Sequence, residues 1–387
     1  AEAYSNLGTI LIDLGNLKEA KLSLQKAIKL KPDLAQAHST LGNLLRNLGK
    51  SKEAELSLIR AIKIKPDFAE AHSILGIMFI DLGKFSDGIK YLSSASNYSP
   101  NNIFYFINSK LRFSPIMMSN SQIDSERSQY KKEINNLKNK KNMYFEKPKA
   151  FIPSIFHLAY QNRKDDRLIL EDFADAISKT KGIVLNSFSR KNYLVSRRNR
   201  KKLKIGVCSM FLRENHSVGK CFINVLKDLS KTDIDMTLYV VPNERKYSVK
   251  NEINNFFKQV IDLPNCPQNA AKLILSDQLD LIFYPDIGMN SFSYILALSR
   301  LAIVQVTSLG HGSTSGIKNI DYYITYGTEP LESDLDYTET LVRFKRLPFN
   351  FNVPKIDEEK IKQKNILSSS RNFYMGLIQS LVKIHPS

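Results

Sequence analysis

The sequence has few cysteines, no tryptophan and no long apolar run. Cys208, Cys221 and Cys266 are its three cysteines among 387 residues, and no pair of them has a CxxC spacing. This argues against a disulfide framework and against a zinc site, and it favours a reducing compartment. No apolar run approaches the roughly 18 residues that a membrane helix needs, and no basic-then-apolar leader opens the chain. We therefore expect a cytoplasmic protein without a membrane span.

Acidic residues are also scarce relative to basic ones. Lysine and arginine together number 56 against 38 aspartates and glutamates, which gives a formal net charge of +18. Such a charge is compatible with a polyanionic partner, but a lysine- and asparagine-rich proteome would produce it as well. None of the usual RNA- or DNA-binding motifs is present, so nucleic acid is not the expected partner.

What the chain does contain is a 34-residue repeat over residues 1–100. Leucine, glycine, alanine and proline recur at fixed positions in three successive copies. The aligned sets are Leu7, Leu41 and Leu75; Gly8, Gly42 and Gly76; Ala20, Ala54 and Gly88; and Pro32, Pro66 and Pro100. Small residues permit close helix packing, and a proline ends the second helix of each copy.

This pattern resembles the tetratricopeptide repeat. A single unit cannot bury its own apolar face, so such units stack into an α-solenoid with a concave surface, and we expect further repeats before residue 1. The aligned residues are core, so recognition belongs to the non-repeating residues of the groove. Asn6 lies at a groove position, but Thr40 and Ile74 replace asparagine in the next two copies, so no asparagine ladder is expected.

Residues 101–203 depart from the repeat and are interpreted as a helical adaptor and a basic linker. Apolar residues at helical spacing in 151–177, and a polar stretch over 125–147, predict helices. Arg190 to Lys204 contains eight basic residues and no acidic one. A solvated linker is one interpretation of this run, and a contact with nucleic acid or an acidic protein is the other.

From residue 204 to 366, apolar runs alternate with helical patterns of 10 to 15 residues. This alternation predicts a Rossmann-like parallel sheet with helices on both faces, so the chain as a whole is α plus α/β. Ligands in such folds bind beyond the carboxyl ends of the strands. Three of the loops that follow these strands are candidates for a binding site. The first contains His216, the second contains Asp286 and Gly288, and the third is the segment 308–325.

Each of these loops has a structural interpretation as well as a functional one. A glycine-rich turn lets backbone N–H groups approach a ligand, but it is also an ordinary way to reverse the chain. A lone histidine such as His216 is more often structural than catalytic. The predicted convergence of all three loops on one edge of the sheet favours a binding site.

The order of repeat array, helical adaptor and α/β lobe resembles glycosyltransferase family 41. The residues that carry the resemblance are "RLAIVQVTSLGHGSTSGIKNIDYYIT", "YTETLVRFKRLP" and "LIFYPDIGMNS". The family contains protein O-GlcNAc transferases, SPINDLY-type O-fucosyltransferases and bacterial N-glucosyltransferases. The resemblance implies a GT-B fold and transfer of a sugar, N-acetylglucosamine or another hexose, from a nucleotide-sugar donor to a protein side chain.

The resemblance also implies site residues. His216 matches the family histidine beside acceptor and donor sugar, and Lys383 matches the lysine that contacts the donor diphosphate. The turn and a glutamine further on are expected to contact the donor, and these residues are Gly310, His311, Gly312, Ser313, Thr314, Ser315 and Gln379. Gly312 stands where the family usually has proline. No metal and no cofactor besides the donor, a UDP-sugar, is implied.

Residues 367–387 look like the start of a second, nucleotide-binding lobe, most of which is missing. We expect this chain by itself to be inactive, and a full-length parent to be the enzyme. The alternative is a peptide-binding tetratricopeptide scaffold that carries a vestigial transferase lobe.

Overall fold

A computed structural model describes residues 1–145, 155–184, 188–189, 193–195, 197, 200–242, 253–310 and 312–349. Residues 1–110 form a stack of paired helices. The helices are α1 (Glu2–Asp13), α2 (Leu17–Leu30), α3 (Ala35–Asn47), α4 (Ser51–Ile64), α5 (Ala69–Asp81), α6 (Phe85–Tyr98) and α7 (Ile103–Lys110). Within each pair the small residues bring two helices together. A Cβ on Gly42 would lie 2.6 Å from Cγ of Leu58, which shows how closely α3 and α4 pack.

Helix α7 extends the repeat register by one helix beyond residue 100. It begins 34 residues after α5 and packs on α6, as α5 packs on α4. The positions of the repeat's leucine and glycine are occupied by Ser109 and Lys110, so the sequence signature disappears although the helix persists. The boundary at residue 100 therefore marks the end of the signature and not the end of the stack.

The adaptor consists of α8 (Asn120–Asn139), a 3-10 helix (Ile155–Gln161) and α9 (Asp166–Ser178). Helix α8 begins five residues before the predicted polar helix, because the Ser119 hydroxyl accepts a hydrogen bond from the Gln122 N–H at 3.1 Å. Arg127 of α8 is 3% exposed and pairs with Asp165 and Asp166 at the start of α9. These ion pairs join the two long adaptor helices.

The lobe that follows is a seven-stranded sheet in which every strand pair is parallel. The strands are β1 (Leu203–Ser209), β2 (Ile234–Val240), β3 (Gln259–Asp262), β4 (Leu281–Tyr284), β5 (Val304–Ser308), β6 (Tyr322–Tyr326) and β7 (Thr340–Phe344). Their order is β3-β2-β1-β4-β5-β6-β7. The connecting helices are α10 (Ser217–Leu229), α11 (Pro267–Ser276) and α12 (Ser291–Ala297). The predicted α-solenoid followed by a Rossmann-like parallel sheet is confirmed.

One hydrophobic core runs from the last solenoid helix through the adaptor into the sheet. It contains Ile107 of α7, Phe173 of α9 and Ile282 of β4, all 1% exposed or less. Before β3, Asn254–Phe256 form a 3-10 turn. Among the described helices, none is both long and apolar enough to cross a membrane.

Part of the basic segment before β1 is held against the α/β lobe, while Lys201 and Lys202 are exposed. The hydroxyl of Tyr193 donates to Asp280, and Arg197 and Arg200 form ion pairs with the same carboxylate at 3.0 and 3.4 Å. Asp280 also accepts the backbone N–H of Lys204 at 2.6 Å. These contacts commit Arg197 and Arg200 to the protein itself, and the interpretation of the rest of the segment stays a prediction.

Candidate functional site

The candidate site lies beyond the carboxyl ends of β1, β4 and β5, which are neighbours in the sheet. The chain runs outward from β1 through β2 to β3 and then returns to place β4 on the other side of β1. The strand order therefore reverses between β1 and β4. In open parallel sheets the crevice at such a reversal is where ligands bind, because the loops on its two sides lead away from each other.

His216 lies at this reversal, in the loop after β1, and it caps helix α10. Its Nδ1 accepts a hydrogen bond from the backbone N–H of Val218 at 3.2 Å. Its ring stacks on that of Phe211, with centroids 4.6 Å apart and planes 16° from parallel. Partial burial, and then the positive charge of Arg213, lower the pKa of His216 below its ordinary value. The ring is therefore neutral near pH 7 and held in one orientation.

Asp286, in the loop after β4, joins this loop to the loop after β1. Its Oδ2 accepts hydrogen bonds from the Ser209 hydroxyl at 2.8 Å and from the Met210 and Phe211 backbone N–H groups at 2.9 and 3.1 Å. The side chain is completely buried. The carboxylate of Asp286 therefore joins the loop after β4 to the loop after β1, as the predicted convergence of the two loops requires.

Gly310, in the turn after β5, packs directly on the loop after β4. A Cβ at this position would lie 1.7 Å from the Pro285 carbonyl oxygen, so only glycine permits this approach. Gly288, in the same β4 loop, has φ +80°, a left-handed conformation that favours glycine. All three loops are therefore in contact at one edge of the sheet, as the sequence predicts.

Thr314 and Ser315 lie deeper in the same turn, and the structure gives their hydroxyls an internal partner. Both donate to the carboxylate of Glu339, which is itself 4% exposed and lies just before β7. The Thr314 oxygen also accepts the Thr338 N–H at 3.0 Å. These bonds anchor the turn to the β6–β7 connection, so a contact of either hydroxyl with a donor would compete with Glu339.

Gly310, Gly312 and Ser313 are the described members of the turn that are not buried. Gly312 is exposed, and a Cβ there would meet only the Ala159 side chain, at 3.8 Å. Ser313 is half-buried and has a partner of its own. His311, Gln379 and Lys383, which the resemblance assigns to the donor, lie outside the described residues, so their roles stay predictions.

Two residues of the site are not predicted from the sequence. Phe211 holds the ring of His216, and Glu339 holds the turn after β5. Glu339 lies within the segment YTETLVRFKRLP, but it is 24 residues from Ser315 in the chain, so nothing in the sequence pairs the two. Within the described part of the chain, no group of three or more His, Cys, Asp or Glu side chains could hold a metal ion. The expectation of metal-free chemistry stays a prediction.

Comparisons with protein families match both halves of the chain. The model described as Glycosyl transferase family 41 matches residues 168–372, which is more than half of the chain. The Tetratricopeptide repeat model matches residues 1–34 and 35–68. A comparison with curated proteins gave no match.

Comparisons with solved structures support the fold. The chain is similar to a mutant of the Thermobaculum terrenum O-GlcNAc transferase, with a TM-score of 0.59 and 20% identity over 91% of this chain. It spans 59% of the length of that transferase. Crystal structures of MamA align with 35% of the chain at 23% identity, with a TM-score of 0.31 that is too low to support an argument.

Proposed function

The chain belongs to glycosyltransferase family 41, and from this premise we propose that its full gene product transfers a sugar from a nucleotide-sugar donor to a protein side chain. The observation that supports this most is the convergence of the His216 loop, the Asp286 loop and the Gly310 turn at the β1/β4 reversal. We expect the sugar to be N-acetylglucosamine or another hexose, carried by UDP.

In such a transfer the acceptor side chain attacks the anomeric carbon of the donor. The bond from that carbon to the diphosphate oxygen breaks, the nucleoside diphosphate leaves, and the acceptor loses its proton. We propose that Lys383 and backbone N–H groups of the turn meet the negative charge on the diphosphate without a metal ion. A compact ammonium group suits that task, since it places a full charge beside the leaving oxygens.

We assign His216 the role of a hydrogen-bond donor at the reacting groups. Because Nδ1 already accepts the Val218 N–H, the neutral ring carries its proton on Nε2. No hydrogen bond to Nε2 is present within the part of the chain that the structure describes. A ring in this state donates to a substrate oxygen through Nε2 and cannot accept a proton there. The geometry therefore favours a donor over a general base.

The protein acceptor is proposed to reach the site along the solenoid. Successive first helices of the repeats, α1, α3 and α5, contact one another, which places them on the inner side of the curve. Asn6 is exposed and Thr40 and Ile74 are partly exposed at equivalent positions of these helices. This inner surface is mixed polar and apolar, and it would hold an extended peptide through varied contacts.

The test is sugar transfer by the full gene product, measured as incorporation from a panel of radiolabelled nucleotide sugars into a protein or peptide library. His216→Asn is the informative variant, because asparagine can keep the helix cap while the imidazole is lost. We expect thermal stability close to that of the wild type and a loss of turnover of at least about 100-fold. Turnover that is unchanged in this variant would remove His216 from the mechanism.

One observation favours the scaffold alternative: Thr314 and Ser315 donate hydrogen bonds to Glu339 within the protein. Two of the predicted donor contacts are then structural. A gene product that binds peptides through its groove but transfers no sugar from any donor of the panel would establish the scaffold and overturn the transferase proposal.

A further inference from the structure

Asp286 is a buried carboxylate, and none of the described residues forms an ion pair with it. Three donors, one hydroxyl and two backbone N–H groups, converge on its Oδ2, while Oδ1 has no hydrogen-bond partner within the described residues. Burial raises its pKa to about 6, and the three donors oppose that rise. A buried carboxylate without a counter-ion costs stability, and such groups concentrate at functional sites.

The two N–H groups that Asp286 holds belong to Met210 and Phe211, the first residues of the loop that carries His216. The Ser209 hydroxyl, which donates to Asp286, also accepts the Phe211 N–H at 3.0 Å. The single N–H of Phe211 is therefore shared between the Ser209 hydroxyl and the Asp286 carboxylate. The imidazole of His216 stacks on the ring of Phe211, and the two ring centroids are 4.6 Å apart.

The other end of the loop is fixed by packing. A Cβ on Gly219 would lie 1.8 Å from the Arg213 carbonyl oxygen, so the loop is pressed against the first turn of α10. The Arg213 carbonyl also accepts the His216 N–H at 3.0 Å. With this end held by contacts within the loop and helix, Asp286 supplies the attachment of the loop to the neighbouring strand.

We propose that Asp286 is a positioning residue for His216: its carboxylate holds Phe211, and the Phe211 ring holds the imidazole in the orientation that directs Nε2 at the substrate. This rests on the proposed role of His216 in transfer. Asp286 itself, completely buried, is not assigned a contact with substrate. Among the described residues, the charged or titratable groups that act on the pair are Arg213 beside His216 and the buried thiol of Cys208 beside Asp286.

The test measures the NMR signals of His216 in the unmodified chain. The six histidines are labelled with ¹³C, and His216 is assigned by the signal lost in His216→Asn. In the wild type we expect an upfield ring-current shift from Phe211 and a pKa below that of free histidine. In Asp286→Ala the upfield shift should be lost and the pKa should move toward about 6.5.

Two further variants keep the test decisive if Asp286→Ala does not fold. Asp286→Asn keeps the size of the side chain and one oxygen for three donors, so the same signals should move in the same direction by less. Phe211→Leu keeps the carboxylate and removes the stacking ring, so it should abolish the upfield shift. Asp233→Asn, at an exposed position before β2, is the matched control and should leave the His216 signals unchanged.

A folded Asp286→Ala or Asp286→Asn variant with unmoved His216 signals would overturn the proposal. In the full gene product, we expect Asp286→Ala to lower kcat by roughly 10- to 100-fold with little change in the KM for the donor, as misplacement of a reacting group does. If His216→Asn leaves transfer intact while the NMR shifts behave as described, the proposed role of His216 in transfer fails and the positioning of His216 by Asp286 stands. If the full gene product transfers no sugar from any donor, the proposed function fails, and the NMR shifts still decide the positioning.

Discussion

Replacing Gly310 by alanine should separate the loops that build the site. The added Cβ would lie 1.7 Å from the Pro285 carbonyl oxygen, 2.9 Å from the carbonyl carbon and 3.5 Å from Cα of Asp286. All three of these atoms are backbone, so no side-chain rotation relieves the contact. The relief must come from movement of the turn after β5 or of the loop after β4.

The size of that movement follows from the distance. A carbon–oxygen contact is comfortable at about 3.3 Å, so the two backbones must separate by about 1.6 Å. Overpacking in a well-packed interior typically costs 1–3 kcal/mol, and a rigid backbone partner places this case at the upper end, about 3 kcal/mol. With a urea dependence of about 3 kcal/mol per molar, the unfolding midpoint should fall by about 1 M.

The assay is urea unfolding of the lobe, followed by tyrosine fluorescence and circular dichroism. Gly312→Ala is the matched control, two residues further along the same turn. Its Cβ would meet only the Ala159 side chain at 3.8 Å, an ordinary van der Waals distance, so its midpoint should stay within the scatter of surface substitutions, about 0.5 kcal/mol. Equal midpoints for the two variants would refute the close packing of Gly310 on Pro285.

Three other substitutions test the buried carboxylates. Glu339→Ala removes the partner of two buried hydroxyls and should cost about 3 kcal/mol in urea unfolding; a loss below about 0.5 kcal/mol would contradict its anchoring role. Asp280→Ala removes the hydrogen-bond and ion-pair partner of Tyr193 and two arginines, so it should lower the free energy of unfolding by about 3 kcal/mol. Asp233→Ala, at an exposed ion pair with Lys202, should lower it by under about 1 kcal/mol. Because the folded pKa of Asp286 is raised from 3.8 to about 6, the wild type should lose roughly 2 kcal/mol of stability as pH rises from 4 to 6, and Asp286→Asn should lack this slope. Parallel pH profiles for wild type and Asp286→Asn would contradict the raised pKa.

The sequence predicts the fold well where a pattern repeats or where topology leaves little choice. The 34-residue period predicts the solenoid, and the alternation of strand and helix patterns predicts a parallel sheet. Because the carboxyl ends of parallel strands meet at one edge, the loops with His216 and Asp286 could be placed together before any coordinates. Helix α7 escaped prediction, since serine and lysine replace the leucine and glycine that identify the repeat.

Long-range polar pairings could not be read from the sequence. Arg197 and Arg200 look like part of a solvated basic run, but their partner Asp280 comes 80 or more residues later. Thr314 and Ser315 look like ligand contacts in a polar turn, but both hydroxyls donate hydrogen bonds to the carboxylate of Glu339. Composition describes what a side chain can bond to, and only the packing of distant elements decides which bond it makes.

The most direct test of the central claim is hydrogen–deuterium exchange of the full gene product with and without a UDP-sugar. If the β1/β4 reversal is the site of transfer, the donor should slow exchange in residues 209–217, 285–290 and 308–316, and leave residues 230–233 and 277–280 at the opposite edge of the sheet unchanged. Protection that is absent from all three loops, or that appears at the opposite edge instead, would contradict the account.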